Sequence, residues 1–407
     1  MNNTEAVITG IGVVSPIGIG KEQFWGSLFE GKSAFKPITL FDTSDLKVRI
    51  AGEVIGFNPK TILGDKGLMD LDRATLLLLS AAKLALDDSS FVINENNTHR
   101  TGVSVGTTLG SLHSISKFDR ESITEGPQYV NPSTFPSTVG NSAASRISIR
   151  FQIKGFNTTI STGMCASLDA IDYARDFLKL DKAETILVGS VEDLSIQTFL
   201  GLHQLKYLAG IEGEAISCPF DKRRNGIIFS EGATVMVMQS AETAKKNSSR
   251  IYGEILGAGS CFDPAKFYRY NPKGRGMIQA MRLALKDARL NPRDIDCIFA
   301  NANSTKDADL IEAQAIKEVF GVKVPVTAVK STLGESFSVA GGFASIAALG
   351  ALNQGIIPAT ANLEEKDAAC DLDYVANKSR KKDISRVMIN TFGFNGANTS
   401  VILGRHN

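Results

Sequence analysis

The segment Asn157-Thr158-Thr159-Ile160-Ser161-Thr162-Gly163-Met164-Cys165-Ala166-Ser167 runs from β-type residues through a small-residue turn into the amphipathic stretch Ser167–Leu180. That order predicts a strand, a tight turn and a helix, with the Cys165 thiol at the helix N-terminus. Unpaired N–H groups and the helix macrodipole there favour a thiolate, the form a nucleophile needs. A cysteine after a strand also serves as a small buried apolar residue, and the segment alone leaves both readings open.

Two further segments follow strand-like runs: Phe299-Ala300-Asn301-Ala302-Asn303-Ser304-Thr305, and Val329-Lys330-Ser331-Thr332-Leu333-Gly334-Glu335-Ser336. In open α/β sheets such strand ends collect ligands and chemistry. Each also reads as a turn before a capped helix. Near the C-terminus, Phe392 and Phe394 sit in Asn390-Thr391-Phe392-Gly393-Phe394-Asn395-Gly396-Ala397-Asn398, where aromatic rings either gate a pocket or plug the core.

The elements that would position these residues are short apolar runs alternating with helical patterns. Glu5–Gly12, Gly102–Gly106 and Thr185–Gly189 read as buried strands; Gln23–Phe29 and Leu77–Leu86 read as helices. The pattern restarts with Ile251–Gly257, Gly276–Ala288, Ile295–Asn301, Asp309–Val319, Val324–Val329, Ala340–Leu352, Ser385–Thr391 and Asn398–Leu403. The expectation is an α/β protein in two comparable halves, residues 1–250 and 251–407, dividing near the polar stretch Lys245–Arg250. No strict residue-level repeat stands out between them. Gly10-Ile11-Gly12 after the first strand lacks the third glycine of a dinucleotide-binding turn and reads as a tight turn.

With 407 residues, 43% of them hydrophobic, the chain can bury a large core. Its 44 basic and 43 acidic residues nearly cancel, so no broad footprint for nucleic acid or an anionic membrane is expected. The start, Met1-Asn2-Asn3-Thr4-Glu5, has no leader pattern, and no apolar run is long enough to span a bilayer, so a cytoplasmic protein is expected. Five scattered cysteines and four scattered histidines form no ligand-spaced group; no metal and no cofactor are expected.

Taken in order, the motifs resemble the β-ketoacyl-[acyl carrier protein] synthases of the thiolase superfamily. The resemblance runs nearly the whole chain: Val7-Ile8-Thr9-Gly10-Ile11-Gly12-Val13-Val14-Ser15-Pro16, Asn131-Pro132 to Asn141, the Cys165 turn, Pro219-Phe220-Asp221-Lys222-Arg223-Arg224-Asn225-Gly226, and Cys370-Asp371-Leu372-Asp373-Tyr374-Val375. It implies the thiolase fold, two pseudo-duplicated halves in a five-layer αβαβα sandwich, normally dimeric.

It also implies that Cys165 accepts an acyl chain from acyl carrier protein, and that two histidines assist decarboxylation of a malonyl thioester. The family's Ala-His-Gly-Thr-Ser-Thr reads here Ala300-Asn301-Ala302-Asn303-Ser304-Thr305, and its Lys-Ser-x-x-Gly-His reads Lys330-Ser331-Thr332-Leu333-Gly334-Glu335. Both histidines are replaced and Lys330 is kept. An ionised Glu335 is expected to repel a Cys165 thiolate and an enolate, or to pair with Lys330. Phe394 matches the gating phenylalanine, and its N–H with that of Cys165 would form the oxyanion hole. Asn395 stands where a second glycine is usual, which puts the gate's flexibility in question.

These departures are similar to chain-length-factor subunits, which pair with a complete ketosynthase on carrier-bound polyketide, polyene or fatty acyl chains. The implied partners are a ketosynthase subunit in a heterodimer, with a homodimer as the alternative, and acyl carrier protein. An autonomous synthase or acyltransferase using Cys165 is the other enzymatic reading.

Overall fold

The computed structural model describes residues 5–264 and 269–406; Met1–Thr4, part of the N-terminal stretch read above, lie outside the described residues. The first half contributes strands β1 (Ala6–Ser15), β2 (Thr101–Gly106), β3 (Asn157–Ile160), β4 (Thr185–Glu192) and β5 (Gly232–Ser240). The second contributes β6 (Gly253–Phe262), β7 (Cys297–Phe299), β8 (Pro325–Thr327), the two-residue β9 (Asp373–Tyr374), β10 (Arg386–Phe392) and β11 (Ala397–Gly404).

The spatial order is β9-β8-β7-β10-β11-β6-β1-β5-β4-β2-β3. Numbered within each half, both sheets run first, last, next-to-last, second, third. Senses agree too: β1/β5 and β5/β4 are antiparallel, β4/β2 and β2/β3 parallel. Correspondingly, β6/β11 and β11/β10 are antiparallel, β10/β7 and β7/β8 parallel. The duplication is thus a property of the fold. The strands of the two halves are joined where Ala6–Ile8 of β1 pair with Gly253–Ile255 of β6.

Between the sheets lie helices that the Ala- and Gly-rich patterns make thin enough to be covered on both sides. Helix α5 (Ala166–Lys179) follows Cys165, and α10 (Ala340–Gln354) is buried along its first thirteen residues. Helix α1 (Lys21–Phe29) docks on α10, where Trp25 Nε1 donates to Ile346 O at 2.8 Å. Outside, α2 (Arg73–Ser89) covers the first sheet, and α7 (Arg275–Ala288) with α8 (Lys306–Phe320) covers the second. Two less buried helices, α3 (Leu112–Glu125) and α4 (Ser142–Phe151), lie on the first half, followed by α6 (Ile196–Gln204) and the one-turn α9 (Lys330–Leu333). The five-layer arrangement that the family resemblance implies is the one observed.

Gly10 and Gly12 lie where α2 presses on β1: a Cβ there would meet Ala85 O at 2.4 Å and Ala81 O at 1.9 Å. The counterparts on β6 are Gly257 and Gly259, where a Cβ would meet Ala288 N at 2.6 Å and Ala284 N at 2.4 Å. The Gly-x-Gly pair therefore serves helix–strand packing in both halves, a residue-level trace of the duplication that sequence reading overlooked. The strand expected over Ile295–Asn301 shortens to Cys297–Phe299, because Asn301 N donates to the Glu312 carboxylate at 2.8 Å instead of to a ladder partner.

Among the described residues no helix is long and apolar enough to cross a membrane.

Candidate functional site

Chain segments leaving β3, β7 and β8 converge with the end of β10. After β3, Gly163 turns the chain at φ +69°, and Cys165 caps α5 as the sequence predicts. The thiol is fully buried and donates to Thr391 O at 3.1 Å. Burial, then the charge of Asp169 one turn along α5, push it up to about 12. Desolvation therefore outweighs the helix terminus that was expected to favour a thiolate. The acidic neighbour that raises the thiol is Asp169, itself raised by burial and bonded by the Thr162 and Thr399 hydroxyls.

At pH 8 a thiol at about 12 is roughly 10⁻⁴ ionised, against about a quarter for an ordinary one near 8.5. Iodoacetamide should thus label Cys165 about 10³-fold more slowly than an exposed cysteine, read by peptide mass spectrometry, and Asp169→Asn should speed it several-fold. Labelling of native Cys165 at the unfolded rate would refute this description.

Asn301 and Glu335 are held on either side of Lys330. Lys330 Nζ donates to Asn301 Oδ1 and to Glu335 Oε2, both at 2.8 Å, and all three residues are almost wholly buried. Glu335 Oε2 also accepts from Asn303 Nδ2 at 3.0 Å, and Oε1 from Phe337 N at 3.0 Å. The expected Lys330–Glu335 ion pair is present. Asn301 Nδ2 completes the chain by donating to Phe392 O at 3.1 Å. Glu312, pushed up to about 7 by burial, takes Asn301 N at Oε1, while its Oε2 has no partner. A closed amide–ammonium–carboxylate network thus stands at these strand ends. It can hold negative charge on Glu335, and within it only Lys330 and the amides donate.

The carbonyls of two successive residues link the network to the cysteine: Thr391 O takes the thiol and Phe392 O takes Asn301. Phe392 O also accepts from Tyr270 OH at 3.3 Å. The Phe392 ring is buried with Phe220, Met277 and Met281 in the second half's core, while half-buried Phe394 meets Tyr207 edge-on at 5.8 Å. Asn395 ties the loop down: Nδ2 donates to Thr162 O at 3.4 Å and Oδ1 accepts from Ala397 N at 3.3 Å. Sequence reading gave no role to Asn303, Glu312, Asp169, Tyr207 or Tyr270. Asn303 was the one within reach, two residues beyond Asn301 and so on the same side of an extended segment.

Residues 3–244 match the family model described as "Beta-ketoacyl synthase, N-terminal domain", and residues 252–364 the one described as "Beta-ketoacyl synthase, C-terminal domain". The chain is 36% identical to 3-oxoacyl-[acyl-carrier-protein] synthase 2 of Coxiella burnetii, covering 100% of this chain and 99% of that one. It is 31% identical to the same-named protein of Synechocystis sp., with the same coverage. Among solved structures, the ishigamide ketosynthase/chain length factor superposes with a TM-score of 0.93 at 32% identity, over 99% of this chain and 100% of that one. A type II PKS acyl-carrier protein in complex with its ketosynthase gives 0.90 at 26% identity, again over 99% and 100%.

Proposed function

We propose, from the premise that this chain belongs to the β-ketoacyl synthase family, that it acts as a chain-length-factor-type subunit. It pairs with a complete ketosynthase during decarboxylative condensation of malonyl units on carrier-bound polyketide, polyene or fatty acyl chains. In this reading residues 1–250 supply Cys165, and residues 251–407 supply Asn301, Lys330, Glu335 and the Phe392–Phe394 loop.

The observation that carries it is the Lys330–Glu335 pair with Asn301 on its flank. Condensation builds negative charge on a thioester oxygen and needs neutral donors that manage a proton. Asn301 donates but does not titrate, and its Nδ2 is committed to Phe392 O. Glu335 offers oxygens where a donor is needed, and Lys330 is engaged by both. The partner supplies the chemistry, while this chain supplies surface and tunnel wall. The full-length similarity to chains named as synthases favours a second reading, an autonomous synthase or acyltransferase in which Cys165 accepts the acyl group.

Measuring carbon dioxide release from malonyl carrier protein, with intact mass of the chain, tests both. Expected are no release above background by the chain alone and stable 1:1 co-purification with a ketosynthase that has the Cys/His/His set. Release by the isolated chain at a rate ordinary for synthases would refute the leading reading in favour of an autonomous synthase; acylated Cys165 without release would favour an acyltransferase.

A further inference from the structure

Glu5, Glu254 and His406 each present a potential ligand atom, and these atoms all lie within 4.8 Å of one another. None of the three belongs to the site around Cys165. No ligand spacing shows in the sequence, because His406 is 152 residues from Glu254 and Glu5 is farther still. Strand register brings them together. Glu254 on β6 stands opposite Gly404 of β11 on one side and Val7 of β1 on the other. Cross-strand partners point to the same face of a sheet, and so do residues two apart in an extended chain. His406, two beyond Gly404, and Glu5, two before Val7, therefore share a face with Glu254.

The group is mixed, an imidazole with two carboxylates, and it lacks a counter-ion. Among the described residues no lysine or arginine pairs with Glu5 or Glu254, and the contact within the group is His406 Nδ1 to Glu254 Oε2 at 3.4 Å. That is long for a hydrogen bond. It matches the edge, about 3.4 Å, of a tetrahedron whose bonds to a central zinc are about 2.0–2.2 Å. Two carboxylates this close repel each other, and a divalent cation between them reverses the sign of the interaction. The side chains of Glu254 and His406 are 20% and 26% exposed, so the surrounding strands hold them, while exposed Glu5 closes the third side by rotating its side chain. One nitrogen and two carboxylate oxygens suit zinc and its first-row neighbours, whereas Mg²⁺ and Ca²⁺ ask for a shell of oxygens.

We propose that Glu5, Glu254 and His406 bind Zn²⁺ or a neighbouring first-row divalent ion, with water completing the shell. The ion fastens the start of β1 and the end of β11 onto β6, at the place where the strands of the two halves are joined. Its role is to clamp the fold, and no step of acyl chemistry passes through it. The site is independent of the proposed function.

Titration calorimetry of the full, reduced chain with zinc chloride tests it. One site per chain is expected, which His406→Ala and Glu254→Gln each weaken at least about tenfold, the least that losing a ligand costs when loss of a supporting residue already costs that much. Cys261→Ser removes the one thiol that is not buried and should leave binding unchanged, which separates this site from zinc taken up by sulfur. Magnesium chloride in large excess should not displace the zinc. Zinc should also raise the midpoint of thermal unfolding of the native chain and not that of His406→Ala, because an ion bound by the folded state stabilises it. Should Glu254→Gln fail to fold, His406→Ala carries the test, since His406 lies beyond the end of β11. No zinc binding by the native chain, binding that His406→Ala leaves intact, or displacement by magnesium would overturn the proposal.

Discussion

Lys330→Met should lower the unfolding free energy by about 3–5 kcal/mol, because it leaves the carboxylate of Glu335 inside the molecule without its counter-ion. The remaining donors to Glu335, Asn303 Nδ2 and Phe337 N, are neutral, and Asn301 Oδ1 loses its ammonium partner as well. Denaturant unfolding followed by circular dichroism measures the loss. Pairing the change with Glu335→Met removes the stranded charge and should recover more than half of it, since a buried ion pair replaced by apolar groups of similar volume is often neutral. Glu335→Gln should cost less than Lys330→Met, because a side-chain oxygen still faces the ammonium. A loss below about 1 kcal/mol for Lys330→Met would mean that water reaches this pair.

The second large effect runs the other way. Asn301→His together with Glu335→His should raise carbon dioxide release from malonyl carrier protein by about 10²–10³ over the native chain, the scale of one well-placed donor to a developing oxyanion. Lys330 would then turn from Glu335 toward Glu312, whose charge already acts on it and whose Oε2 is unpaired. Single histidine changes should give little, because Glu335 alone still repels the enolate and Asn301 alone still cannot shuttle a proton. A folded double variant with no gain would show that the two positions are not what separates this chain from active synthases.

The helix over Ser167–Leu180 and the turn at Cys165 were readable from local pattern, whereas the joint placement of Asn301 with Lys330 and Glu335, across 29 residues, followed only from the family resemblance. The state of the thiol was not. The helix terminus is a local feature, whereas its opponents are burial and Asp169, and burial depends on Thr391 more than two hundred residues away. The duplication was hidden for a related reason. It lives in strand order and in Gly-x-Gly pairs at helix contacts, Gly10 with Gly12 and Gly257 with Gly259, amid sequences otherwise unlike. The strand Gly232–Ser240 also escaped, because a short apolar run gives no period to distinguish it. Asp193 lies in no motif and Ser137 within the Asn131–Asn141 segment, but the burial that leaves Asp193 Oδ1 and Ser137 Oγ without a hydrogen-bond partner exists only in the folded chain.

Helix α10 touches both walls around the cysteine through its glycines. A methyl group on Gly341 would reach Ser167 Oγ at 2.5 Å and Thr391 Cγ2 at 2.8 Å; one on Gly342 would reach Thr234 Oγ1 at 2.2 Å, and one on Gly350 the Trp25 indole at 2.5 Å. Cys165 and the carbonyl that accepts its hydrogen bond are therefore spaced by the absence of side chains on a third element. In a saturation mutagenesis map the sharpest intolerance would fall along a helix buried away from solvent, at positions where the smallest possible addition, one carbon, is already too much.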